Sequence, residues 1–335
     1  MSLTVKFEVS RLPMKKRLLH ELPTELIILI GSFIDSHRDL YVLCRVNRRL
    51  YSVASPLLYE LNARTTGSAM DWAVWWRKIP TIIKFLEAFS ISGKPPIGLT
   101  SGLRQLSVTG NSELFDLMLT CDKIHQELYL AEPLIMAATR GHHQIVQAIL
   151  DVGISPQPGS QRVLTGRPLH LACSAGHTAV VEVLLADPRT DINFSSTLSG
   201  YAPIEMAVMF GHLEIVQALM ASGVRLSDDN GPLRLVYLAV CNEHPDVLRY
   251  LLYQGGSDVN AMYQGMTPLH WAVRKRSVEM VSILVEDFRT RLELTGLASG
   301  DTPLSEATWY VLQDIKAILL DAGASPANDS EQYFL

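Results

Sequence analysis

The chain lacks the short motifs by which a sequence announces covalent chemistry. It contains no Gly-x-Ser-x-Gly elbow, no phosphate-cradling Gly-x-x-x-x-Gly-Lys loop and no His-Glu-x-x-His. Gly93-Lys94 is followed by Pro95 and misses the rest of a phosphate loop. Cys44, Cys121, Cys173 and Cys241 lie far apart with no Cys-x-x-Cys pair, so neither a zinc site nor a disulfide framework is expected. Free thiols of this kind point to a reducing compartment. Excess positive charge is missing too: 29 Lys and Arg against 34 Asp and Glu leave a net charge of −5, which predicts no affinity for nucleic acid. No apolar run approaches the roughly 20 residues of a membrane helix. Lys15-Lys16-Arg17 precedes an apolar stretch, Leu18 to Ile34, as in a secretory leader, but His20, Glu21, Pro23 and Glu25 interrupt it, so export is not expected. The basic triplet reads as a solvated flank, and the chain is expected in the cytoplasm, the nucleus or both.

What the chain has in plenty is a phrase that returns. Arg167-Pro168-Leu169-His170-Leu171-Ala172, Ala202-Pro203-Ile204-Glu205-Met206-Ala207, Thr267-Pro268-Leu269-His270-Trp271-Ala272 and Thr302-Pro303-Leu304-Ser305-Glu306-Ala307 are versions of one line. Aligned on Ala137, Ala172, Ala207, Ala239, Ala272 and Ala307, the steps are 35, 35, 32, 33 and 35 residues. Eight and twelve residues after each alanine come apolar pairs, such as Ile145-Val146 with Ile149-Leu150 and Val247-Leu248 with Leu251-Leu252. Pairs four apart make one helical stripe, so each repeat holds an inner helix and an outer helix buried along one face. Pro168, Pro203, Pro268 and Pro303 fit the first position of the inner helix, where a missing N–H costs little. Gly141, Gly176 and Gly211 fit the turn between the helices, and Gly153, Gly223, Gly255 and Gly323 the end of the outer one.

A period near 33 that carries Thr-Pro-Leu-His-x-Ala resembles the ankyrin repeat. The expected fold class is all-α, an ankyrin α-solenoid over residues 67–325 preceded by a small helical module. Looser versions of the template at Ala73 and Leu106 bring the array to about eight repeats, the first two degenerate. Residues 90–102 read as a long interhelical loop, and residues 326–335 as a polar, flexible tail. A solenoid has no central core and works as a surface that grips other proteins. The resemblance also bears on the ten histidines. His142, His177, His212 and His244 recur at the turn and His170 and His270 in the phrase, so structural bonding to loop backbone is expected in place of catalysis or metal binding. No catalytic residue, cofactor or metal is expected, and the protein is not read as an enzyme.

Residues 18–60 do not follow the repeat. Leu26 to Ile30 is apolar throughout, so no face of that helix suits water and something must cover it, either the first repeat or a partner. Leu22-Pro23-x-Glu25-Leu26, with Ile30, Phe33, Leu40, Leu43, Val46-Asn47-Arg48 and Leu57-Leu58-Tyr59, resembles an F-box. The resemblance implies docking on the Skp-family adaptor of an SCF ubiquitin ligase, and through it a cullin, with Leu22, Pro23, Leu26, Ile27 and Ile30 as the adaptor-binding positions. Which of Leu40, Leu43, Val46 and Leu50 face the adaptor stays open. In F-box proteins with C-terminal ankyrin arrays, the array holds a protein substrate.

The ankyrin resemblance further implies that residues two and three past the inner-helix alanine face the binding groove. Those at Trp75-Trp76, Met209-Phe210 and Trp309-Tyr310 are large and apolar where a solvated surface is expected, and Tyr201, Tyr263 and Met266 at the hairpin tips extend the set. Two of these keep a second reading: Trp75-Trp76 could pack on the N-terminal module, and Trp309-Tyr310 could close the end of the stack. The whole chain is therefore expected to be a substrate receptor of an SCF-type ubiquitin ligase. The alternative is an ankyrin interaction scaffold outside ubiquitination.

Overall fold

The computed structural model describes Thr24, Ile27, Ile28, Arg49, Leu50 and Ser52, and residues 73–92, 99–121, 124–156, 167–195, 200–226, 231–253, 258–297 and 300–325. Leu22, Pro23, Leu26, Ile30, Gly255 and the 326–335 tail lie outside the described residues. The chain divides into two units, Met1–Tyr129 and Leu130–Leu335. Among the described residues the regular structure is helical, apart from one antiparallel bridge between Tyr263 and Met266.

The first unit holds α1 (Ile79–Ser92), α2 (Leu99–Thr109) and α3 (Ser112–Leu119). Gly110, at φ +74°, ends α2, and the Asn111 carboxamide accepts the Leu114 N–H at 3.1 Å to start α3. The loop expected over 90–102 is shorter than its Gly and Pro content suggests, because helix reaches Ser92 and resumes at Leu99. Leu99, Gly102, Leu103 and Leu106 are spaced along a single buried stripe, so Gly102 is a helix residue and not a loop signal.

The helix α4 (Glu127–Arg140) begins in the first unit and ends in the second. Pro133 lies inside it. Leu130, Ala131, Leu134, Ile135 and Ala138 continue the buried stripe on both sides of it. Their burial, at roughly 25 cal/mol per Å², offsets the roughly 3 kcal/mol that an interior proline costs. Five further pairs of helices follow: α5 (His143–Asp151) completes the α4 repeat, then come α6 (Pro168–Ala175) and α7 (Thr178–Ala186), α8 (Pro203–Met209) and α9 (Leu213–Ala221), α10 (Gly231–Cys241) and α11 (Pro245–Tyr253), α12 (Pro268–Arg274) and α13 (Val278–Glu286), and α14 (Pro303–Trp309) and α15 (Gln313–Asp321). The four phrase prolines take the first turn of α6, α8, α12 and α14.

Helices of seven to nine residues are too short to persist alone, so packing supplies their stability. From α6 onward each inner helix packs on the next inner helix, and from α5 onward each outer helix on the next outer one, giving two rows. The loops bind the layers as well. Asp187 holds the Arg189 guanidinium, which donates to the carbonyls of Leu150 (3.2 Å) and Gly153 (3.1 Å) and so caps α5 from the following repeat. Arg289, held by Asp287, donates to Leu252 O at 2.9 Å and caps α11 in the same way. Hydrogen bonding to Arg189 and Arg289 holds the Asp187 and Asp287 carboxyls below the usual carboxylate range. A side-chain rung recurs lower in the loops, where Asn193 accepts from Arg225 N (2.6 Å), Asn260 from Arg291 N (2.6 Å) and Glu293 from Ser325 N (2.7 Å).

Candidate protein-binding surface

The turns that follow α4, α6 and α8 are each built by a histidine from the next repeat. Nε2 of His177 donates to the carbonyl of Thr139 (3.0 Å), that of His212 to Ser174 (3.2 Å) and that of His244 to Met209 (2.8 Å). Each rung thus fixes the backbone of the residue two past the alanine, which is the position expected to face a ligand. The ring lies against the turn glycine of the preceding repeat, and a Cβ there would come within 2.7 Å of His177 at Gly141 and 2.6 Å of His212 at Gly176. Those glycines also have φ of +82° and +76°. Conformation and close approach therefore both demand a residue without a side chain.

The phrase histidines differ from one another. His270 is fully buried; the Thr267 hydroxyl lies 2.7 Å from Nδ1, and Nε2 donates to Asp301 O at 3.0 Å, which fixes the Nε2–H tautomer. At the matching place Arg167 replaces the threonine, and neither nitrogen of the buried His170 ring closes a hydrogen bond of ordinary geometry. Burial, chiefly, pushes the His170 imidazole below its ordinary pKa. Glu205 fills the histidine slot of α8, accepts the Ala202 N–H at 2.7 Å and pairs with Arg234 at 2.9 Å. His270 and Glu205 are bonded into the framework.

On the surface so positioned, Phe210 (49 % exposed), Trp309 (79 %) and Tyr310 lie open, and Met209 is half-buried. Phe210 and Tyr310 occupy equivalent ends of α8 and α14, each returning its N–H to the helix it terminates. Trp75 and Trp76, described within the first unit, are both exposed. Trp75, Trp76 and Trp309 each keep most of their surface open. Tyr201 and Tyr263 are half-buried. Met266 is not surface: its bridge to Tyr263 turns it inward, and it is buried. Of the five adaptor-contact candidates only Ile27 is described. It is fully buried while Ile28 beside it is exposed, so Ile27 leaves the set of open contacts. An all-apolar helix gives a sequence reader no basis for choosing between the two.

Tyr237 and Trp271 were missed. The Tyr237 ring lies 4.7 Å from that of Tyr263 and 4.9 Å, edge-on, from Trp271, whose indole N–H donates to Tyr263 O at 3.3 Å. Arg234 spans to the Tyr201 ring, 5.0 Å from its centroid. Four aromatic residues drawn from three repeats thus form one half-buried seam. The signal was available, since Tyr237 and Trp271 sit in and beside the phrase's histidine slot. Burial, followed by the nearby Cys241, pushes the Tyr237 phenol up to about 12. Arg274 is bonded to the buried Glu306 at 2.7 Å. The arrangement offers half-buried aromatic faces to a ligand.

Comparisons agree with both halves of this reading. A family model described as ankyrin repeats (3 copies) matches residues 105–196, 169–263, 204–296 and 236–329, and an F-box-like model matches residues 19–61. Among solved structures, the human ASB11 ankyrin repeat domain is similar to this chain at 25 % identity and a TM-score of 0.54, over 67 % of this chain and 99 % of that one. The ankyrin repeat domain of Bcl-3, described as a unique member of the IkappaB protein family, is 23 % identical over 58 % of this chain and 86 % of that one, with a TM-score of 0.49. No curated protein matches the chain.

Proposed function

From the premise that this chain belongs to the ankyrin-repeat family and carries an F-box-like domain ahead of its repeats, we propose that it is a substrate-recognition subunit of an SCF-type ubiquitin ligase. The observation that carries the reading is the coexistence of these two modules, one of a kind that docks on Skp-type adaptors and one of a kind that binds proteins. Residues 18–60 serve as the docking module, residues 67–325 as the array, and a cullin joins through the adaptor. The array holds a protein substrate against the inner-helix turns, with Phe210, Trp309 and Tyr310 as anchors and the Tyr237 seam between them. The chain itself forms and breaks no bond. It raises the local concentration of substrate lysines near the ubiquitin-carrying enzyme, an effect of proximity. It acts in the cytoplasm, the nucleus or both.

The test is capture of a purified Skp-type adaptor by the full chain. Wild type is expected to bind, Leu26→Asp with Ile30→Asp to lose binding, and Met209→Ser with Phe210→Ser to keep it. A wild-type chain that captures no adaptor overturns the reading and leaves an interaction scaffold that works outside ubiquitination.

A further inference from the structure

The opposite, outer-helix face has its own departures from the repeat template. The last residue of each outer helix is Asp151, Ala186, Ala221, Tyr253, Glu286 or Asp321, so Tyr253 is the one aromatic in a column of small and acidic residues. The loop that gives Asp187-Pro188-Arg189 in one repeat gives Asp287-Phe288-Arg289 in another. Tyr253 is 89 % and Phe288 94 % exposed. Both border a cleft of about 680 Å³ between the C-terminal ends of α11 and α13, floored by Leu252 and Ile283. Two large rings this open, beside an apolar floor, are unusual for a surface that meets only water.

Charge indicates what they meet. The six outer helices from α5 to α15 carry Asp151, Glu182, Glu214, Asp246, Glu279, Glu286, Asp314 and Asp321 against two cations, Arg249 and Lys316, and all eight carboxylates are exposed. The two cations of the cleft are already paired, Arg249 with Glu286 at 3.0 Å and Arg289 with Asp287 at 2.6 Å. The C-terminus of α13 adds the partial negative charge of its last carbonyls. We propose that this cleft is a second docking site, which takes a basic segment of a partner protein with a Lys or Arg side chain laid over the Tyr253 and Phe288 rings. Ring faces attract such cations, and the surrounding carboxylates draw the segment in. A second copy of the chain would set this acidic face against its own like, which charge opposes. The site lies on α11 and α13, away from the inner-helix surface, and does not depend on the ligase reading.

The experiment titrates the full chain with a labelled synthetic peptide of alternating Lys and Leu, and with its Glu and Leu counterpart, by fluorescence anisotropy. The Lys peptide is expected to bind and the Glu peptide not. Tyr253→Ser with Phe288→Ser is expected to weaken the Lys peptide about tenfold, at an unchanged melting temperature because both rings are exposed. Absent binding, equal binding of the two peptides, or full binding by the double variant overturns the proposal; the last would mean that diffuse charge alone holds the peptide. Sedimentation covers the remaining occupant. A wild-type dimer that the double variant disperses makes a second copy the ligand, and the proposal fails.

Discussion

The imidazole of His212 occupies the space a side chain on Gly176 would need, since a Cβ built on that glycine falls 2.6 Å from the ring. The same ring donates to Ser174 O, so one residue closes the turn by a hydrogen bond and by its bulk. Gly223 provides the contrast: it has nearly the same φ, +75°, and nothing within 4 Å of the added atom.

Gly176→Ala therefore carries two costs and Gly223→Ala one. A left-handed alanine costs about 1–2 kcal/mol at either place, and forcing a methyl against a packed ring adds about 1–3 kcal/mol at Gly176. Urea denaturation of both variants separates these contributions. Equal losses would show that the ring moves aside freely and that the close approach has no energetic weight.

Stability should depend on pH through His170. Its folded pKa is depressed, so the unfolded chain takes up a proton near pH 6.5 while the folded chain still excludes it. The contribution is complete above about pH 6.5 and is lost as pH falls through the lower folded value. Melting temperature is expected to drop on acidification across that window, and less in His170→Gln. A variant with the full wild-type slope would place the effect elsewhere.

Breaking the Arg274–Glu306 pair from its two ends should not be equivalent. Arg274→Ala leaves a carboxylate that is 4 % exposed without its cation. The expected loss is about 2 kcal/mol, below the 3–5 kcal/mol typical of fully buried pairs because Arg274 is itself one-third exposed. Glu306→Gln keeps an acceptor for the guanidinium and costs less. Adding Glu306→Gln to Arg274→Ala should recover part of the loss, which a double-mutant cycle measures directly.

Arg289 reaches Asp287 and Leu252 O together through its planar fork, so Arg289→Lys should lower the melting temperature nearly as far as Arg289→Ala. Full rescue by lysine would mean that charge, and not fork geometry, holds the layers there. The depressed Asp287 carboxyl gives this link a pH limit: its contribution is present above about pH 3.9 and disappears as pH falls through the lower folded value.

How far such features could be read in advance depended on their reach along the chain. Pro268 and the left-handed φ of Gly176 act within their own turns, and those roles were visible in one repeat. His244 was recognisable as structural, but its partner, the Met209 carbonyl 35 residues away, belongs to the stacking and not to the phrase. Arg189 and Arg289 were invisible for the same reason. Met266 was misjudged because hairpin tips are mostly wet and only the bridge to Tyr263 turns it inward. Trp309 and Phe210 were identified as breaks in a pattern on the face where ligands are expected. Tyr253 and Phe288 break the pattern just as sharply, but on the outer-helix face, where the repeat gives no reason to expect a ligand.

The histidine ladder ends at His244. Ser277 and Leu312 stand where the next rings would be, and the glycine position passes to Glu243, Arg276 and Val311, at φ of 58°, 58° and 59°. A β-branched valine held there stores about 1–2 kcal/mol that it sheds by leaving the turn. Amide exchange at Leu312 should accordingly outpace that at His212. The turns after α10, α12 and α14 lack both the glycine and the ring of the following repeat, so they are expected to open more readily than the three turns that His177, His212 and His244 close. Of the aromatic anchors proposed for a ligand, Phe210 precedes a turn closed by His244, whereas Trp309 precedes one held by a strained valine.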